Sequence, residues 1–345
     1  MKIRRLKVAI GFNISSWKNF ISEFVECDIL IRCPDNKIFN FTMMLLIKLF
    51  SFLIKGKIVF WGGEVNNKSH FLYACEIFKI PVLRIEDGFL RSKGLGLKKT
   101  RPFSLIVDSK GIYYDSRKKS DLESILLNYN FKSDFNLRKA SNKSIETIIS
   151  KSLTKYILDE SVFSGEKGFI LVVGQVVDDL SVKFGNPLGI SDLDLLKYAI
   201  QESSGKQVLY RPHPDVMSGN RQGFHDIEEY KKISGIYQGS LPDALSNCSK
   251  VYTITSIVGF EALIRGIPVV TFGQPFYSGW GVSDDRCPLK RRNRNLDVVN
   301  IFSAAYFLYP IYLDANGNTI DGNIDIAEEF LYFLDSQNEC NPSEK

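Results

Sequence analysis

Several apolar runs in this chain end on residues that can do chemistry. VLRI, Val82 to Ile85, stops abruptly on Glu86, Asp87 and Gly88, with Arg91 and Ser92 close behind. Adjacent carboxylates there either make an ordinary turn or offer acid–base groups to a ligand. A second pair, Asp178 and Asp179, follows ILVVGQVV; Gln175 stands four residues before Asp179, on the same face if the segment is helical. In YRPHPD, Tyr210 to Asp215, two prolines fix the backbone around His213. Arg211 and His213 both suit a phosphate. Thr255 and Ser256 end the run VYTI. Ser256 suits a helix N-cap, Gly259 keeps the first turn open, and the unpaired N–H groups of a helix start favour an anion. Glu261 would follow within two turns, placed to accept from ribose hydroxyls. The same stretch reads equally as a capped core helix. GQPFYSGWG, Gly273 to Gly281, brings Gln274, Tyr277 and Trp280, whose rings can wall a base or sugar or simply pack between domains. Trp61, Gly62 and Gly63 allow a comparable close approach of backbone after KIVF.

These groups share a setting that says which elements must position them. Apolar, β-rich runs alternate with helical patterns along the chain: KVAIGF, DILIRC, KIVFWGG, PVLRIEDG and SLIVDSKGIYY, then GFILVVGQ, QVLYRPHP, KISGIYQG, KVYTITS and IPVVTFG. Continuous apolar strands separated by helices indicate parallel sheets covered on both faces. Two such series predict an α/β protein with two Rossmann-like domains facing across a cleft, a GT-B-like plan. Ligands of such sheets sit at the carboxyl ends of the strands, where the residues above fall. The expected division is 1–164, a first Rossmann-like domain; 165–300, a second Rossmann-like domain; and 301–345, a helical segment with a polar tail. The boundary lies at SGEKG, Ser164 to Gly168, after a helical stretch over roughly 116–160.

Composition narrows the function classes. The chain has 345 residues, 44% hydrophobic and 24% charged, with net charge +5. That is ordinary globular composition with a mild preference for anionic ligands or surfaces. Basic residues are scattered, which argues against nucleic acid; the one dense run, KRRNR from Lys290 to Arg294, reads as solvated loop. The six cysteines form no CxxC and imply no zinc site; a reducing cytoplasm and free thiols are expected. No metal and no cofactor is expected. His70 and His225 read as surface residues. IFNFTMMLLIKLFSFLI, Ile38 to Ile54, is short for a membrane span. It reads as a buried helix or, alternatively, as a helix with one face in the inner leaflet beside a lipid-linked substrate.

Taken together, RIEDGFLRSKGLG, SLIVDSKGIYYD, GQVVDDLSVKFG, RPHPD, TSIVGFEALIRGIPVVTFGQPFYSGWG and YPIYLDANG resemble, in order over roughly 58–325, the KpsC family of capsule-biosynthesis proteins. KpsC carries two such modules in tandem; GQVVDD and RPHPD look closer to its second. The resemblance implies transfer of Kdo, an eight-carbon acidic sugar, from CMP-β-Kdo to a capsule or lipopolysaccharide glycolipid with retention of configuration. It implies Asp179 as nucleophile and Glu86 as acid/base, with Asp87 and Arg91 positioning Glu86 or binding an acidic acceptor; exchange of the roles of Glu86 or Asp87 with Asp179 stays open. Gln175, Arg211, His213, Thr255, Ser256, Gly259, Glu261, Gln274, Tyr277 and Trp280 then fall on the CMP-sugar side. Trp61, Gly62, Gly63, Arg91 and Ser92 fall on the acceptor side. Two other readings stand beside this one: a GT-B transferase or epimerase for another nucleotide sugar, and a non-catalytic, membrane-docked assembly subunit.

Overall fold

The computed structural model describes residues 6–12, 14–33, 37–49, 54–62, 69–93, 100–157, 166–314, 316–320 and 324–340. Gly63 lies outside them. The strands are β1 Leu6–Phe12, β2 Ile29–Arg32, β3 Ile54–Trp61, β4 Val82–Asp87, β5 Ser92–Lys93, β6 Ser104–Asp108 and β7 Tyr156–Ile157. There follow β8 Ile170–Val173, β9 Val208–Arg211, β10 Gly235–Ile236, β11 Lys250–Thr253, β12 Val269–Thr271, β13 Asp284–Asp285 and β14 Pro310–Tyr312.

The second-half sheet runs β10-β9-β8-β11-β12-β13 and is parallel throughout. Its β8, β9 and β12 are buried at every residue, as expected of strands covered on both faces, the polar Arg211 and Thr271 coming only at the carboxyl ends of β9 and β12. The first-half sheet runs β14-β6-β4-β3-β1-β2. Here β1 to β4 are parallel, whereas β6 lies antiparallel to β4 and β14 antiparallel to β6. The wholly parallel expectation fails for this edge. The described residues of 88–103 include no helix of the kind a parallel crossover uses. The last segment, expected to be helical, supplies β14 to the first sheet before its closing helix, Ile326–Cys340.

Each sheet reverses strand order at one place, between β1 and β3 and between β8 and β11. A crevice opens outside the strand ends at such a point. The two crevices face one another over an aromatic floor. Phe89 packs 5.0 Å from Phe276 and 5.3 Å from Tyr306, and Phe276 lies 5.1 Å from Phe260, so rings from both halves share one core.

Two expectations are corrected. The helix Lys37–Leu49 is not wholly buried: Met44 is, but Phe41, Leu45, Leu46 and Leu49 are exposed. Its apolar residues occupy more of the circumference than one packed face can cover. KRRNR is a clamp rather than a solvated loop. Arg291 and Arg292 share the buried Glu123 at 2.5 and 3.2 Å, and Arg294 donates to the carbonyls of Leu126 and Tyr129. A second Arg292 nitrogen donates to the Ser278 carbonyl at 2.9 Å. The cluster spends its charge holding residues 116–129 against the second domain.

Candidate active site

Between the two crevices lies a cavity of about 1190 Å³ lined from both halves. Trp61, Gly62, Glu86 and Asp87 reach it from the ends of β3 and β4. Gln175 and Asp179 reach it after β8, Arg211 and His213 at the end of β9, and Thr255, Ser256 and Glu261 after β11. Sequence positions 61 to 261 thus converge on one space because every one follows the carboxyl end of a strand next to a reversal, or one strand removed from it.

On the first wall, Glu86 Oε2 accepts from the Tyr114 hydroxyl at 3.2 Å and Oε1 from the Asp87 amide at 3.1 Å. Burial, then the neighbouring Asp87, raise the Glu86 carboxyl above the usual range, while Lys155 and the two hydrogen bonds oppose the rise. Asp87 Oδ2 pairs with Arg91 Nε at 2.8 Å, both buried. Arg91 Nη1 in turn donates to Ser92 Oγ and Thr100 Oγ1 at 2.5 and 3.0 Å. Arg91 and Ser92 do not line the cavity; they hold Asp87 from behind. Lys18, which carried no sequence signal, sits with its ammonium 3.0 Å from the Trp61 ring centroid. Burial lowers Lys18 to about 8, and Asp87 and Glu86 pull against that. The cluster therefore balances two carboxylates against two cations in a poorly solvated wall.

On the second wall, Gln175 closes the reversal point. Its amide nitrogen donates to Thr255 Oγ1 at 2.9 Å, and its carbonyl accepts the Thr255 N–H at 2.8 Å. The loop carrying Gln175 is itself held by Asp192, whose Oδ2 accepts the Gln175 N–H at 3.0 Å and the Tyr210 hydroxyl at 2.9 Å. Asp179 is the N-cap of the helix Leu180–Gly185, with Oδ1 accepting from the Ser181 amide and hydroxyl at 2.8 and 2.7 Å. The helix begins after Asp179, so Gln175 and Asp179 do not share a helical face. Asp179 Oδ2 lies 3.6 Å from Arg221 Nη1, and Arg221 Nη2 pairs with Asp178 at 2.6 Å.

His213 caps the short helix Pro214–Met217, its Nδ1 accepting the Asp215 N–H at 3.2 Å. With Nδ1 an acceptor, a neutral ring carries its proton on Nε2. Burial holds the ring below its ordinary pKa, against Asp215 and Asp179, so the neutral form prevails near neutral pH. Ser256 caps the helix Ile257–Leu263 as expected. Glu261 Oε1 accepts the Lys155 N–H at 3.0 Å, while Oε2 is buried with no hydrogen-bond partner among the described residues. Burial raises this carboxyl too.

Four expected contacts lie elsewhere. Tyr277 is fully buried and donates to the Ser256 carbonyl at 2.7 Å. Trp280 is fully buried, its indole donating to the Phe276 carbonyl at 2.8 Å. Gln274 turns to Cys287, and Gly259 makes room for Tyr277, since a Cβ there would meet the phenol oxygen at 2.1 Å. None lines the cavity, although Pro275 and Phe276 of the same loop do; the Tyr277 and Trp280 rings build the scaffold behind it, their polar atoms satisfied on local carbonyls. The His225 ring lies 3.6 Å from Glu229, away from the cavity, and the His70 side chain lies outside the described residues. Sequence reading missed Lys18, Tyr114, Lys155 and Arg221. Each is an isolated polar residue in a connecting segment; only the YYD stretch around Tyr114 fell within a noted run.

Comparison with known proteins agrees with this architecture. A family model described as capsule polysaccharide biosynthesis protein matches residues 56–157 and 128–313. The lipopolysaccharide-processing protein LpsZ of Rhizobium meliloti is 39% identical over 262 residues, which is 74% of this chain and 59% of that protein. The capsule polysaccharide modification protein LipA of Neisseria meningitidis serogroup B is 37% identical over 263 residues, 74% of this chain and 36% of that one. The chain thus spans less than two thirds of either relative. Two structures of Thermosulfurimonas dismutans KpsC superpose on it. The β-Kdo 2,4 transferase gives a TM-score of 0.78 at 27% identity, covering 95% of this chain and 98% of that one. The β-Kdo 2,7 transferase gives 0.72 at 29%, covering 95% and 99%. With the family model covering most of its length, the chain belongs to the capsule polysaccharide biosynthesis protein family, and its GT-B-like fold is close to that of the KpsC β-Kdo transferase modules.

Proposed function

We propose that this protein is a retaining β-Kdo transferase that moves Kdo from CMP-β-Kdo to a sugar hydroxyl of a capsule or lipopolysaccharide glycolipid. The observation that carries the reading is the meeting of Glu86 and Asp179, from strand ends of different sheets, in one cavity with Arg211 and His213. Two carboxylates on either side of a reacting carbon suit double displacement.

In the first step the Asp179 carboxylate, through Oδ2, attacks the anomeric carbon. The bond from that carbon to the phosphate oxygen breaks and CMP leaves with the electron pair. Arg211 and the Nε2–H of His213 offset the charge on the departing phosphate. In the second step an acceptor hydroxyl attacks the same carbon, the ester to Asp179 breaks, and the hydroxyl proton passes to Glu86. A carboxylate raised by burial is the stronger base for that transfer. Tyr114 and the Asp87–Arg91 pair hold Glu86 in place, and Glu261 accepts from the ribose.

Incubation of the full chain with CMP-Kdo, with and without a Kdo-bearing glycolipid acceptor, tests this by CMP release and product mass. Glu86→Gln is expected to accumulate a Kdo adduct on Asp179, detectable by intact mass and peptide mapping, whereas Asp179→Ala gives neither adduct nor product. Absence of CMP release from the native protein, or near-native turnover by Asp179→Ala, refutes the reading. An epimerase would return the free or nucleotide-linked sugar without transfer, which the same product masses distinguish.

A further inference from the structure

Residues 152–157 form a strap between the two halves, and it is fastened at both ends. After the helix Phe135–Ser150, Ser152 takes a left-handed conformation with φ 53° and turns the chain towards the cavity. The Leu153 carbonyl accepts from Arg265 at 3.1 Å, and the Lys155 N–H donates to Glu261 at 3.0 Å, which ties the strap to the second domain. Immediately beyond, Tyr156 and Ile157 pair with Ser92 and Lys93 in a two-stranded parallel ribbon. Ser92 is the partner of Arg91, and Arg91 is the partner of Asp87. The strap therefore links the Glu86–Asp87 loop to Glu261, with Lys155 at its midpoint.

Ser152, Thr154 and Lys155 line the cavity together with Glu86 and Glu261. Lys155 thus shares the cavity with a carboxyl from each wall, its backbone N–H is bonded to Glu261, and its charge opposes the rise of both carboxyls. A sugar joined to a nucleotide on one wall and delivered to an acceptor on the other must occupy the cavity that Lys155 lines.

The chemistry of an acidic donor then sets a requirement. A CMP-linked sugar with a carboxylate on its anomeric carbon brings two anionic groups, a phosphate and a carboxylate, into a cavity that already holds Glu86, Asp87, Asp179 and Glu261. Arg211 and His213 stand at the carboxyl end of β9, on the nucleotide wall. The carboxylate beside the reacting carbon needs a cation of its own.

We propose that Lys155 binds the carboxylate of the donor sugar and thereby selects a 2-keto acid sugar over a neutral one. This rests on the reading of the donor as a CMP-activated acidic sugar. The test compares the full-length native protein with Lys155→Met and Lys155→Arg, measuring the dissociation constant for CMP by calorimetry and the KM for CMP-Kdo by CMP release. Lys155→Met keeps its CMP affinity within about threefold while its KM for CMP-Kdo rises about 10- to 100-fold, the size of one charge-assisted contact. Lys155→Arg recovers most of that loss. If the native enzyme turns over and Lys155→Met weakens CMP and CMP-Kdo equally, or weakens neither, the assignment of Lys155 is overturned while the transferase reading stands. If the native protein neither binds CMP nor turns over CMP-Kdo, both fail together.

Discussion

Asp192 offers a direct test of how burial, rather than pairing, sets the electrostatics behind the site. The residue is fully buried at the start of the helix Asp192–Gln201. Its Oδ2 holds the Gln175 N–H and the Tyr210 hydroxyl, and its Oδ1 has no partner among the described residues. Burial outweighs both hydrogen bonds and pushes the carboxyl from 3.8 up to about 7. The folded protein therefore binds this proton more tightly than the unfolded chain, and stability falls as pH rises from about 4 to about 7. Across that window of about three pH units, at 1.36 kcal/mol each, the loss is about 4 kcal/mol. About 3 kcal/mol of it falls between pH 5 and pH 8. Asp192→Asn keeps the shape and an oxygen for both donors but cannot ionise. Urea unfolding at pH 5, 6, 7 and 8 compares the two proteins. The variant is expected to gain about 3 kcal/mol relative to the native protein between pH 5 and pH 8. A difference between the two that stays level across this range, within about 1 kcal/mol, refutes the reasoning; so does a variant that loses ground as pH rises.

Other features lead to shorter tests. Gly259→Ala drives a methyl into the Tyr277 phenol, 2.1 Å away, and should cost about 1–3 kcal/mol by thermal or chemical unfolding; Tyr277→Phe on top should recover part of it. Arg292→Met leaves Glu123 with one of its two arginines and the Ser278 carbonyl without its donor, so destabilisation of about 3 kcal/mol or more is expected in the same assay. No helix among the described residues is long and apolar enough to cross a membrane. Phe41, Leu45, Leu46 and Leu49 are exposed, as are Tyr73 and Ile77 on the helix Ser69–Ile77 that packs beside theirs, and an enzyme acting on a glycolipid would set such side chains against a lipid surface. Leu45→Glu with Leu49→Glu should reduce flotation with anionic vesicles several-fold while leaving any CMP release from CMP-Kdo unchanged; unchanged flotation, or none by the native protein, removes these side chains from the account.

The strand ends were legible because apolar runs such as ILVV and KIVF, repeated between helical patterns, read as sheet interior, and the polar residues that close or follow them fall at the strand ends. That logic located Glu86, Asp179, Arg211, His213 and Glu261 at one cavity before any geometry was known. It could not orient rings. Tyr277 and Trp280 look the same in sequence whether they wall a ligand or seal a core, and here their polar atoms find carbonyls of Ser256 and Phe276 instead. Nor could it find Lys18 or Lys155, since neither sits in a patterned segment and both acquire meaning from partners far along the chain. KRRNR misled for a related reason: a run of charge reads as solvated until a buried carboxylate such as Glu123 is known to face it. The antiparallel edge of the first sheet was hidden because YPIY, around Pro310–Tyr312, is too short to announce a strand.

That late strand bears on how the molecule can be made. β14 seals the open side of β6, Tyr309 donates to the buried Asp108 at 2.7 Å, and Phe330 and Phe333 close over Phe103. All these partners sit some two hundred residues earlier in the chain. During synthesis, then, the amino-terminal half emerges with an unpaired strand edge and waits for the carboxy-terminal half to be translated around it. A ribosome-bound chain halted before Tyr309 should be readily cut by protease within its first half, and release of the remaining residues should confer resistance on both halves at once.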